Sequence, residues 1–262
     1  MKFLPRIRHP CYFITRVDTT VSPLLFLSRI PLMKPLLIYC YDAYCGWCFG
    51  FSPVISRIAE EYKGKLDTET ISGGMIPESS RQHIGKIASF IQAAYQEVEE
   101  RTGITFGQDF LWHINHPDLS DWYLNSEIPA RAMCVFKEYQ PEDSVLFAAD
   151  LQHALHVEGR DLTDDEAYRH LLERWGIPAD EFYTKLHDPE YAEKARYEFN
   201  LCRQLQVNGF PAVLLQAGEL KFYQLAKGYT DHDTLKERLD NVLKEIERDI
   251  QKESFTSPGT VS

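Results

Sequence analysis

From Leu36 to Tyr41 the chain is an unbroken apolar run, LLIYCY, of the length expected for a strand. An amphipathic pattern of helical period follows from about Trp47 to Tyr62. Lys65 to Ser72 mixes β-branched residues with a short alternation, predicting a second strand that Gly73-Gly74 ends. Ile84, Ile87, Ile91, Tyr95 and Val98 then form one stripe at helical spacing. The stretch from Thr102 to Glu127, rich in Gly, Asp and Trp, reads as a loop with short turns. Ile128, Ala132, Val135, Phe136 and Tyr139 mark the next helix, and further helical patterns run near Ser144 to His156, Thr163 to Trp175 and Glu190 to Gln206. Asp161 or Thr163 is available to cap the third of these.

The β pattern returns at Val207-Asn208-Gly209-Phe210-Pro211-Ala212-Val213-Leu214-Leu215. Ala217-Gly218 supplies a turn and Leu220 to Tyr223 a partner strand, so the two read as a hairpin. A closing helix presents Leu235, Leu239, Val242, Leu243, Ile246 and Ile250 on one face. The predicted organisation is therefore 33–76 and 207–252 as two parts of one α/β domain, 77–206 as a mostly helical block between them, and 253–262 as a frayed tail.

Composition narrows the function classes. With 262 residues and 44% hydrophobic content the chain can bury a full core. A net charge of −11 argues against nucleic acid and anionic membrane surfaces as partners. Residues 1–32 depart from that acidity, with Lys2, Arg6, Arg8, Arg16 and Arg29 against Asp18, and carry Pro5, Pro10, Pro23 and Pro31, which break any amphipathic presequence. Met33 opens text that reads like a natural start, so 1–32 is expected to be a disordered extension or a misread start rather than a targeting segment. Six cysteines are too few for a disulfide-stapled secreted scaffold, which makes a reducing cytoplasm the expected location. Cys40, Cys134 and Cys202 read as small buried hydrophobes, and Cys11 lies in the doubtful extension.

The candidate chemistry is Cys45-Gly46-Trp47-Cys48, where a strand feeds a helix whose first turn carries two sulfurs. Unpaired N–H groups and the positive end of the helix dipole favour an anionic sulfur there. A structural disulfide is the competing explanation. Closing so short a loop constrains the unfolded chain by only about 2 kcal/mol, which makes it a poor staple. One CxxC supplies two metal ligands and no second pair follows at suitable spacing, so no metal is expected. His113 and His116 come nearest to ligand spacing and are read as surface residues of a loop.

In order, CGWC, the helical run VEGRDLTDDEAYRHLLERWGI and VNGFPAVLL resemble the DsbA-like branch of the thioredoxin superfamily, and within it the cytoplasmic FrnE-like proteins. The resemblance implies an α/β thioredoxin fold with a large all-helical domain inserted, and a cis proline, Pro211, beside Cys45. It implies thiol-disulfide oxidoreductase or isomerase activity on protein or small-molecule thiols and disulfides, without a bound cofactor but with glutathione as a conceivable co-substrate. Cys45 is then the exposed nucleophile and Cys48 the recessed resolving thiol. Gly46, Trp47, Phe210 and Pro211 would contact substrate, Phe210 through its backbone and Trp47 as an apolar lip or as packing. Trp112 and Trp122 would line a groove over the cysteines or fill the core, and the Gly73-Gly74-Met75 bend would bring backbone close to the site or serve only as a turn. Many thioredoxin-fold proteins carry a buried acid six residues before the first cysteine; here that residue is Tyr39, which leaves proton transfer or loop orientation open for the nearest carboxylate, Asp42. Two other readings share the fold: a glutathione-dependent isomerase or kappa-class-like glutathione transferase, which usually has serine where Cys45 stands, and a non-catalytic peptide-binding adaptor.

Overall fold

The computed structural model describes residues 34–218 and 220–256; the expectation for 1–32 and the end of the tail lie outside them. The apolar run forms β1 (Leu36–Tyr41), one of the two inner strands of a four-stranded sheet. It pairs in parallel with β2 (Asp67–Ser72) and antiparallel with β5 (Ala212–Gln216), which pairs antiparallel with β6 (Phe222–Lys227), giving the order β2-β1-β5-β6. The crossover from β1 to β2 is helix α1 (Gly46–Glu61). Both faces of β1 are covered, which is why its sequence shows no alternation. Leu37, Tyr39 and Tyr41 share a core with Cys48, Phe51, Ile55 and Ile58 of α1. Ile38 and Cys40 pack on the opposite side with Leu201 and Cys202.

Pro53 sits inside α1 and cannot donate the N–H that would reach the Phe49 carbonyl one turn back. The hydroxyl of Ser52 donates to that carbonyl at 2.8 Å instead, so the buried acceptor keeps a partner.

Between β2 and β5 run seven α-helices: α2 (Ala88–Thr102), α3 (Gln108–Asn115), α4 (Glu127–Tyr139), α5 (Ser144–His156), α6 (Arg169–Trp175), α7 (Ala179–His187) and α8 (Pro189–Gln204). The insertion is helical apart from β3 (Gln82–His83) and β4 (Tyr123–Leu124), which pair antiparallel. The closing helix α9 (His232–Thr256) covers α1 and β6 and continues past the expected fraying point at 253.

Several expectations need correction. Residues 102–127 are not a loop: α3 buries Phe110, Leu111 and Ile114 at helical spacing, a pattern too short to stand out among Gly, Asp and Trp. Helix α7 was not anticipated, since only Phe182 and Leu186 are buried in its nine residues. The stripe beginning at Ile84 starts in a 3-10 turn, and α2 opens only at Ala88. The region from Thr163 is likewise a 3-10 turn capped by Asp164 before α6, while Asp161 receives the Thr163 N–H at 2.8 Å without capping a helix. Residues 207–211 precede the strand rather than belonging to it, and the hairpin partner lies at 222–227.

Helices α4 and α8 dock against the outer edge of β2 through buried charges. The Lys137 ammonium donates to the Glu69 carboxylate, to the Thr70 carbonyl and, at 2.8 Å, to Glu198. Glu198 in turn accepts the Ser72 N–H at 2.8 Å. Backbone groups that would otherwise present a free strand edge are thereby satisfied. Burial alone would lower the Lys137 pKa, but the Glu198 and Glu69 carboxylates hold it well above the usual value. Lys137→Met removes the cation that bonds both of these acids. Urea unfolding should show a loss of about 3–5 kcal/mol, the cost of stranding buried charge; a loss below about 1 kcal/mol would show that the network is solvated.

Candidate active site

Cys45 is the N-cap of α1, with extended backbone angles (φ −84°, ψ 107°), and its sulfur accepts the Cys48 N–H at 3.2 Å. Ser, Thr, Asp or Asn would be the ordinary choice at a cap; a sulfur there gains a donor suited to negative charge. The Cys45 thiol also lies 3.6 Å from the Phe210 carbonyl, toward which it donates. The Phe210–Pro211 peptide bond is cis. Segments 165 residues apart thus meet at one sulfur.

The expected contrast in exposure is nearly absent: Cys45 is 5% exposed and Cys48 0%. The Phe210 carbonyl lies against the first sulfur and the Phe106 ring hangs over Gly46, so the helix tip is roofed rather than open. Burial, then the adjoining Cys45 thiol, pushes the Cys48 pKa well up, so Cys48 stays protonated at neutral pH.

Asp42 is buried, and its carboxylate accepts the N–H of Tyr44 at 3.0 Å, the N–H of Met75 at 2.7 Å and the hydroxyl of Ser126 at 3.0 Å. Burial raises its pKa although these donors oppose the rise. Its carbonyl accepts the Cys45 N–H at 3.1 Å. Of the two roles considered, this bonding is that of a loop-orienting residue joining the cysteine loop, the Gly73-Gly74-Met75 bend and the start of α4. The bend does approach the site: a Cβ at Gly73 would lie 2.0 Å from the Phe210 ring, so only glycine lets that ring settle beside the cis proline.

Trp47 is half-buried, and the Arg101 guanidinium of α2 stacks over its ring at 5.2 Å. Trp122 is buried and stacks on His113 with centroids 3.8 Å apart, whereas Trp112 is exposed and stacks on His116. His113 is therefore half-buried on a helix, where burial lowers its pKa, and not a surface loop residue. Cys40, Cys134 and Cys202 are buried as expected.

The roof comes from residues that sequence reasoning did not single out. Phe106 packs edge-on to Phe49 at 5.3 Å, and His156 stacks on Phe49 at 5.1 Å while meeting the edges of Phe106 and Phe110. Only the topology brings them to α1. Among the described residues no group of three or more His, Cys, Asp or Glu could hold a metal ion. A hollow of about 690 Å³ bounded by Lys34, Lys63, Asp67, Glu138 and Asp143 touches neither active-site cysteine.

Among the described residues His156 has no hydrogen-bond partner of normal geometry, and burial, opposed only weakly by the Ala43 backbone, lowers its pKa to about 3. Its neutral form is favoured in the folded state, so the unfolded chain takes up the proton first as pH falls below about 6.5. Its contribution to stability is complete above that pH and should decline toward pH 3, with a slope approaching about 1.4 kcal/mol per pH unit. Urea titrations across this range should show His156→Leu flattening the slope; an unchanged slope would place the acid sensitivity elsewhere.

A sequence model described as "DSBA-like thioredoxin domain" matches residues 37–240. The ClpXP adapter protein SpxH of Halalkalibacterium halodurans is 23% identical over 190 residues, covering 68% of this chain and 58% of that protein. The chain thus spans less than two thirds of the length of this curated relative. A solved structure from Nitrosomonas europaea, provisionally described as a protein disulfide isomerase, superposes with a TM-score of 0.69 at 25% identity, covering 81% of this chain and 99% of that one. The cytosolic disulfide reductase DsbM of Pseudomonas aeruginosa, solved also with GSH, gives a TM-score of 0.66 at 24% identity over 80% of this chain and 98% of its own, a likeness of fold.

Proposed function

The chain belongs to the DSBA-like thioredoxin domain family, and on that premise we propose that it is a thiol-disulfide oxidoreductase cycling Cys45 and Cys48 between dithiol and disulfide. The observation that carries this reading is the Cys45 sulfur held at the start of α1 by the Cys48 N–H, against the carbonyl that precedes the cis proline. Cys45 attacks one sulfur of a substrate disulfide; a Cys45–substrate bond forms, the substrate S–S bond breaks, and the other substrate sulfur leaves with the electron pair and takes up a proton. Cys48 then loses its proton and attacks the Cys45 sulfur, closing the Cys45–Cys48 bond and expelling the reduced substrate. Two equivalents of a thiol such as glutathione return the pair to the dithiol by the same exchange, the first forming a mixed disulfide and the second leaving with it as the thiol's own disulfide. Run in reverse, the steps oxidise a substrate dithiol or, through partial cycles, isomerise a disulfide.

An extended substrate segment would lie along the Phe210 backbone, with Trp47, Gly46 and Pro211 as its apolar surroundings. Asp42 holds the loop through its bonds to Tyr44, Met75 and Ser126. The small cysteine count supports a cytoplasmic setting. Among the described residues no helix is long and apolar enough to cross a membrane. A peptide-binding adaptor is the second reading, favoured by the similarity to proteins named as ClpXP adapters.

Insulin reduction with glutathione as reductant separates the two. Wild type should catalyse it, Cys45→Ala should abolish catalysis, and Cys48→Ala should accumulate substrate disulfide-linked to Cys45, visible by mass spectrometry. If catalysis is absent while a captured partner still binds Cys45→Ala, the oxidoreductase reading fails and the adaptor reading stands.

A further inference from the structure

Cys45 and Cys48 are buried, so within the CGWC turn it is Gly46 and Trp47 that reach solvent. Phe106 hangs over Gly46 and the Phe210 carbonyl lies against the Cys45 sulfur, which leaves the Trp47 side as the approach for a disulfide. The last turn of α2 borders that approach. A Cβ at Gly50 would come within 2.7 Å of the Thr102 side chain, so α1 and α2 meet closely there. Arg101, one residue earlier, sets its guanidinium 5.2 Å from the centre of the Trp47 ring. A guanidinium carries five N–H donors in one plane, so stacking on a ring leaves its edge available to an acceptor. The Arg101 side chain is 58% exposed, and one of its nitrogens meets the exposed Glu97 carboxylate, one turn back, at 3.2 Å. Surface pairs of that kind are weak and readily exchanged. The neighbouring Glu99 carboxylate is engaged by the Phe106 N–H at 2.8 Å. A cation in a last helical turn suits the helix dipole wherever it points, but this one lies on the residue between the two cysteines. The chain as a whole carries −11, a charge that repels anions, and Arg101 offsets it at the approach to the sulfurs.

We infer that Arg101 is a specificity-determining residue that draws to Cys45 small disulfides carrying a carboxylate near the sulfur, a class that includes glutathione disulfide. This deepens the oxidoreductase reading and rests on it. The substrate carboxylate pairs with the edge of the guanidinium while Cys45, its proton released to solvent, bonds to the nearer substrate sulfur. The substrate S–S bond breaks, and the other sulfur leaves with the electron pair and takes up a proton. Cys48 then loses its proton, bonds to Cys45 and expels the first sulfur in the same way, so one disulfide becomes two thiols and the protein pair is oxidised. Arg101 meets the charge of the substrate and not its reacting sulfurs. It therefore acts on which disulfide is chosen, and its effect fades as salt is added.

The test mixes reduced protein separately with dithiodipropionate, which has two carboxylates, with cystamine, which has two ammonium groups, and with neutral hydroxyethyl disulfide. Closure of the Cys45–Cys48 bond is followed by acid quenching and mass spectrometry of the peptide that holds both cysteines. Rates are divided by the rate with the neutral reagent, which cancels changes in folding or in sulfur reactivity. Arg101→Gln should cut the relative rate with dithiodipropionate about fivefold and raise that with cystamine. Arg101→Lys keeps the charge and should retain most of the preference. Arg57→Gln removes the same charge from the far half of α1 and should leave both ratios at their wild-type values. Ratios unmoved by Arg101→Gln, lost equally in Arg101→Lys, or shifted alike by Arg57→Gln would overturn the assignment. Arg101→Gln should also slow glutathione disulfide more than a cystine peptide flanked by glutamates; an equal or reversed order would overturn the choice of small disulfides. Charge selection in a protein that never reduces insulin would sink the proposed function and leave this inference standing, whereas insulin reduction without charge selection would do the opposite.

Discussion

The N–H of Cys48 meets the sulfur of Cys45 at the first turn of α1, and the rest of the site is arranged around that bond. A helix start leaves donors without internal partners, and this chain satisfies one of them with a sulfur. A neutral thiol is a weak acceptor, so the cap is strongest when the sulfur is charged. The same contact both starts the helix and holds the first sulfur in place. Everything that holds α1 in place, from the β1 face beneath it to the Asp42 bonds ahead of it, keeps that donor aimed.

β1 does two jobs with its two faces. Leu37, Tyr39 and Tyr41 support the helix that carries the cysteines, while Ile38 and Cys40 seat α8 on the far side. The insertion is fastened to the sheet a second time, at β2, by Lys137 between Glu69 and Glu198. Such buried charge contributes little net stability compared with apolar packing, but it is unforgiving of misplacement. It joins α4 and α8 to β2 at fixed points.

The thioredoxin core was legible because its signals are local. LLIYCY, the CGWC helix start, Gly73-Gly74 and the apolar stripe of α9 each announce themselves within a few residues, and the order of these elements restricts the topology. Helices α3 and α7 were hidden because each buries only two or three side chains, too few to establish a period. The cysteines could be placed from their spacing, and the cis proline only through the family resemblance. The roof could not: Phe106 follows a glycine-marked turn and His156 ends a helix, and nothing nearby in sequence says that both reach Phe49. The expected openness of Cys45 failed for the same reason, since exposure is decided by partners from distant segments.

Gly46 lies directly beneath Phe106, and a single carbon added there would come within 3.3 Å of the ring. The residues between two active-site cysteines are a natural place to adjust redox poise, since charge or bulk there acts on both sulfurs. In this chain one of the two positions is sterically tied to the inserted helical block, where overpacking carries its own penalty. A larger residue at 46 would have to push the Phe106 ring by a few tenths of an ångström, so redox tuning at that position is coupled to the packing of the inserted block.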